Sequence, residues 1–204
     1  GGPDEAAPDT SSSPSDSVTC ARGRVDALHE AFRPATDGIS MDYSTTPEEL
    51  LRQADGIAVV ALRGLGTDAA FDLTPGGGEA ARRYPLEVTV LRGIKGAQAG
   101  DRMELAWRLL GADPAQVARA LPEGEVLVAW QDESVTPPVP AGETPKSMPV
   151  HEVMLQGPWY ELPATECLPA VVTTAMWGAE DRVMEPWGTP ESLADMEEAL
   201  RDAG

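Results

Sequence analysis

Apolar residues recur along the middle of the chain in short, partly alternating runs. Residues 56–65 (GIAVVALRGL), 84–96 (YPLEVTVLRGIKG), 100–108 (GDRMELAWR) and 124–131 (GEVLVAWQ) are each bounded by Gly, Pro or Asp. That pattern predicts four strands of one antiparallel barrel or sandwich. In the second run Leu86, Val88 and Val90 share a face against Glu87 and Thr89, as in a strand with one face solvated. The third repeats the alternation, with Met103, Leu105 and Trp107 opposite Glu104 and Arg108. The fourth, Val126 to Trp130, is apolar on both faces and is expected to be the most buried. A fifth strand is expected between Val150 and Leu162, broken at Gly157-Pro158.

Helical signals lie around these runs. Thr46-Pro47-Glu48-Glu49 supplies an N-cap, a proline at the first helical position and a capping-box glutamate, followed by Leu50, Leu51 and Ala54. The helix so predicted ends near Gly56 and packs on the end of the barrel. Asp113-Pro114 predicts a short connecting helix. Thr189-Pro190-Glu191 opens a last one with Leu193, Met196 and Leu200 as its stripe, and Val25, Leu28, His29 and Phe32 suggest another before Pro34. Between the elements, residues 66–83 contain Gly76-Gly77-Gly78 and residues 132–150 contain Pro137, Pro138, Pro140, Pro145 and Pro149, so both read as long solvent-facing loops.

Composition narrows the setting. The chain has 204 residues, enough for one domain with extensions. Its formal charge is −19, which repels phosphate backbones and anionic lipid surfaces and argues against a nucleic-acid partner. Residues 1–19, acidic and rich in Ser and Pro, hold too little apolar surface to offset the entropy of ordering and read as a disordered tether; residues 20–204 read as a single domain with its core in 45–162. There is no apolar run of membrane-spanning length and no signal-peptide core, so the sequence reads as a mature soluble piece. The tether is of the kind that follows the lipidated cysteine of bacterial lipoproteins, which places the domain outside the cytoplasmic membrane, held to it only by an upstream lipid anchor. The absence of Asn and the scarcity of Lys beside abundant Arg, Ala, Gly and Pro suggest a GC-rich bacterial genome such as an actinobacterium's. The two cysteines, Cys20 and Cys167, read as a disulfide of an oxidising compartment, worth about 4–5 kcal/mol by loop entropy; the alternative is a pair of reduced buried thiols.

The order of the core segments carries a resemblance. Ala54-Asp55 before Ile57 to Val60, the strand ending Val90 to Gly96, Gly100-Asp101 before the third strand, and Gly124-Glu125 leading to Trp130 resemble OB-fold-like domains of secreted actinobacterial proteins. More remotely they resemble the netrin-like domain of tissue inhibitors of metalloproteinases. The likeness spans about residues 45–131. It implies a mainly β fold, an OB-like five-stranded antiparallel barrel with peripheral helices, and no particular activity. The inhibitors act through an amino-terminal cysteine, whereas Cys20 follows a tail, so that mechanism does not carry over.

Candidate chemistry is sparse. His29 and His151 each precede a glutamate, but there is no H-E-x-x-H, no cysteine cluster and no G-x-S-x-G, so neither a metal nor a cofactor is expected. Trp107 and Trp130 alternate with core positions. Trp159, Tyr160, Trp177 and Trp187 fall in or beside irregular segments and form the candidate binding surface if exposed, or pack the carboxy-terminal segment onto the barrel if not. The expectation is a non-catalytic, monomeric, exported binding or accessory protein that recognises an envelope protein or ligand through the two loops or the Trp/Met-rich end. The alternatives are an enzyme with an unrecognised site and, by fold analogy, a protease inhibitor.

Overall fold

A computed structural model of the protein describes residues 46–68, 71–72, 82–109, 111–121, 123–136, 139–154, 187 and 193–204. The tether, the helix expected over residues 21–32, both cysteines and the segment 155–186 lie outside the described residues.

The first helix, α1 (Pro47–Gln53), begins as its sequence dictates. The Thr46 hydroxyl accepts the Glu49 N–H at 3.1 Å, Pro47 occupies the first turn, and Glu48 and Glu49 sit at the positive end of the helix dipole. Strands β1 (Gly56–Leu65), β2 (Phe71–Asp72), β3 (Arg82–Lys95) and β4 (Arg102–Trp107) follow. Helix α2 (Pro114–Ala120), capped by the Asp113 carboxylate on the Ala115 N–H, then leads to β5 (Glu125–Val135), β6 (Met148–Val153) and the closing helix α3 (Leu193–Ala203).

The protein is mainly β, and five of the strands close on themselves. β1 pairs with β3 on one side and β5 on the other, β5 with β6, β6 with β4, and β4 with β3; β2 adds a short pairing to β3. The sheet is mixed, which corrects the expectation of an antiparallel barrel. β4 and β6 run parallel, with Leu105 opposite His151 and Ala106 opposite Glu152. The reason is parity: directions can alternate around a ring only if the number of strands is even, so five strands leave one pair alike.

Burial follows the sequence pattern. Leu86, Val88 and Val90 are buried while Glu87 is exposed, and Val126 to Trp130 are buried throughout. Trp107, Trp130, Ile57, Leu105 and Leu127 are among the largest fully buried side chains of the described residues, and Leu50, Leu193, Met196 and Leu200 bring α1 and α3 onto the same core. Two boundaries differ from expectation. β5 runs on to Val135, and β6 begins at Met148, so the loop expected over 132–150 is shorter and stands on a hairpin. Beyond Trp130, β5 leaves β1 and pairs with β6 alone, and Val135 and Val150 close over Ala106 in a small apolar cluster. Alternation had hidden this, because Gln131, Asp132, Glu133 and Ser134 are all polar.

Candidate functional site: the loop between β5 and β6

The residues singled out from sequence divide sharply. Cys20, Cys167, Trp159, Tyr160, Trp177 and His29 lie outside the described residues. Trp187 is 3 % exposed and belongs to the main core, so it packs the carboxy-terminal end inward and presents no surface. Of the loop expected over 66–83, residues 71–72 form β2 opposite Arg83 and Arg82.

His151 is oriented by Asp132, whose Oδ1 lies 2.7 Å from Nδ1, and it meets the edge of Trp130 at a centroid distance of 6.2 Å. Asp132 in turn donates its N–H to the Asp55 carboxylate at 2.8 Å. The chain of contacts ties the start of β1 to β5 and β6. Among the described residues no group of three or more His, Cys, Asp or Glu is gathered so as to hold a metal ion.

The paired charges serve the frame. Arg92 on β3 holds two carboxylates, Glu125 through Nη1 and Nη2 at 2.8 and 2.6 Å and Glu197 of α3 through Nε and Nη2 at 3.0 and 2.9 Å. The Arg92 guanidinium hydrogen-bonded to Glu125 keeps that carboxyl below the usual glutamate range, and the paired carboxylates raise Arg92 itself. Across the ring, Glu152 Oε1 accepts from Arg83 at 3.0 Å and from Arg108 at 2.8 Å. Arg83 is 5 % exposed, and burial lowers its pKa against the pull of Glu152. An open groove of about 400 Å³ lies beside β1, lined by Leu62, Gly64, Leu91, Ala118 and Leu121. Of the charged residues that line it, Arg63 and Glu125 are bonded to Thr89 and Arg92.

The best-formed feature on the surface is the loop after β5. Its stem is the hairpin pairing of Glu133 with Val150, Ser134 with Pro149 and Val135 with Met148, extended by a 2.8 Å hydrogen bond between the Thr136 and Ser147 hydroxyls. At the tip the Glu143 N–H donates to the Pro140 carbonyl at 3.1 Å, and Gly142 takes φ +98°, the third position of a type II turn. Residues 140–149 are all exposed. Met148, at 39 %, is the exposed large hydrophobic among the described residues. Sequence reasoning had marked the loop but not Lys146 within it, although a lysine in so arginine-rich a chain was the available signal.

Compared with known proteins, the chain matches no family model, and no solved structure matches it at a significant level. Its function is therefore argued from what its own residues are placed to do.

Proposed function

We propose that the chain is a non-catalytic, exported binding or accessory protein built on an OB-type barrel, anchored outside the cytoplasmic membrane by an upstream lipid and recognising a protein through its loops. The OB assignment is supported by the ring order β1-β3-β4-β6-β5, with a helix between β4 and β5 and the last strand inserted beside the third of the ring. The observation that carries the binding reading is the loop between β5 and β6, exposed over residues 140–149 yet fixed by a hairpin stem, a hydrogen bond at its base and a tip turn. A segment ordered before binding loses less entropy on association, which is how exposed loops become recognition elements. Trp159, Tyr160 and Trp177 are retained as a second surface, and export predicts a linked Cys20–Cys167 peptide in non-reducing mass spectrometry.

The test is capture from a bacterial envelope extract by the wild-type chain and by a variant with residues 139–146 replaced by Gly and Ser. A protein retained by the first and lost with the folded second supports the reading. Capture indifferent to the loop, or no capture at all, sinks it.

A further inference from the structure

Strand β1 is paired unequally on its two sides. Its ladder with β3 runs on to Leu65 opposite Leu86, whereas its ladder with β5 stops where β5 begins, at Ala61 opposite Glu125. Among the described residues no strand therefore meets residues 62–65 on that side. Backbone groups that alternate toward such an edge are open to a further strand.

The groove of about 400 Å³ lies along this edge. Leu62 and Gly64 form its β1 wall, and Leu91, Ala118 and Leu121, each only half-buried, offer apolar surface. A Cβ on Gly64 would meet nothing within 4 Å, so the wall is open at that position. The cross-strand partner of Gly64 is Glu87, and Glu87 in turn stands directly opposite Glu104 of β4. Both carboxylates are exposed, and neither has an ion pair or a side-chain hydrogen bond among the described residues. Arg63, beside Gly64 on β1, is hydrogen-bonded to Thr89 and not to them. Like charges directly opposite on a sheet repel. An ammonium or guanidinium laid over the bare Gly64 against Glu87 relieves that repulsion.

We propose that residues 62–65 take an extended, basic segment of a partner protein as an added strand, with an apolar side chain over the groove and a Lys or Arg at an alternate position against Glu87. Strand addition draws affinity from the backbone and specificity from the side chains that face the sheet. The occupant is not a second copy, because two chains of charge −19 repel each other. This surface is separate from the β5–β6 loop and goes beyond the reading built on it.

The intact chain titrated with the capped peptide Lys-Thr-Leu-Thr-Lys-Thr-Leu-Thr, followed by calorimetry and NMR, tests it. Expected are saturable binding, new amide-exchange protection confined to residues 62–65, and about tenfold weakening by Glu87→Lys, a change at an exposed position that keeps the fold. The same peptide with Glu in place of Lys is expected not to bind. Methylating one of the two alternate sets of peptide nitrogens is expected to abolish binding and methylating the other is not, a pattern that only an added strand produces. Absence of binding at about 1 mM peptide overturns the proposal. So do binding indifferent to methylation or to the sign of the peptide's charge, and protection of residues 62–65 that grows with the concentration of the chain alone. Replacement of residues 139–146 is expected to leave peptide binding unchanged; binding lost with that replacement belongs to the loop and overturns the proposal while leaving the loop reading standing.

Discussion

The indole of Trp130 lies over the Cα of Gly56, its direct partner across β1 and β5. A Cβ at position 56 would collide with the indole atoms Cε2, Cζ2 and Nε1. The large ring thus uses the space left by the missing side chain. Gly56→Ala is expected to destabilise the chain by about 1–3 kcal/mol, since neither the fully buried Trp130 nor the strand can retreat freely. A urea midpoint unchanged from wild type would contradict the arrangement.

Lys95 ends α1 from a distance of more than forty residues along the chain, donating to Leu51 and Ala54 carbonyls at 2.7 and 2.6 Å. These are acceptors the helix itself leaves open, at the negative end of its dipole. Lys95→Met keeps most of the stem and removes the ammonium. Loss of about 1–2 kcal/mol is expected, together with faster amide exchange in residues 50–54 than elsewhere.

Beside its apolar stripe, Glu197 ties α3 to the ring through Arg92, and only 9 % of the residue is exposed. Glu197→Gln should therefore loosen α3 first. Because Arg92 keeps Glu125 and is itself partly exposed, the cost is expected at about 1–2 kcal/mol, below that of breaking a fully buried pair. Hydrogen exchange should rise in residues 193–203 and not in β5; uniform acceleration would show that the helix is not a separate unit.

Acid should weaken the same junction. Glu125 is held below the ordinary glutamate range, chiefly by hydrogen bonds from Arg92, so its folded value lies under its unfolded one. Its contribution is complete above the ordinary range and is lost as pH falls through the lower folded value. Glu125→Gln is accordingly expected to be less stable than wild type at neutral pH and to converge with it in acid. Denaturation curves that stay parallel at every pH would refute this.

How much of this was legible beforehand can be judged from the run 90–96. The alternation of Leu86, Val88 and Val90 leading into it announced β3, and the caps at Thr46 and Asp113 announced α1 and α2, because those signals are local. What Arg92, Lys95 and Gly96 do was not legible, since each acts on a distant partner, and what Gly93 does depends on how the chain turns back at Ala97. Arg92 reaches α3, Lys95 reaches α1, a Cβ on Gly93 would strike the Ala97 carbonyl, and Gly96, at φ +70°, approaches the Asp55 carbonyl. The motif that suggested a family is thus a set of joints between elements. The parallel pair β4–β6 follows from closure, which strand patterns do not record. In the candidate site, the prolines marked the loop, but the hairpin beneath it was polar and left no alternation to read.

Closure of the ring also bears on self-association. A sheet that ends presents a row of unpaired backbone groups on which another chain can add as a strand, the usual beginning of aggregation. Here β1 has partners on both sides over residues 57–61, and the β5–β6 stem is one of the stretches that outrun the ring. That stem is guarded: the Asp132 N–H is already given to Asp55, and Pro149 has no N–H to offer. The acidic residues Asp132 and Glu133 further repel a second copy of so negative a chain. The stem can therefore hold out a recognition loop without itself becoming a template for strand addition.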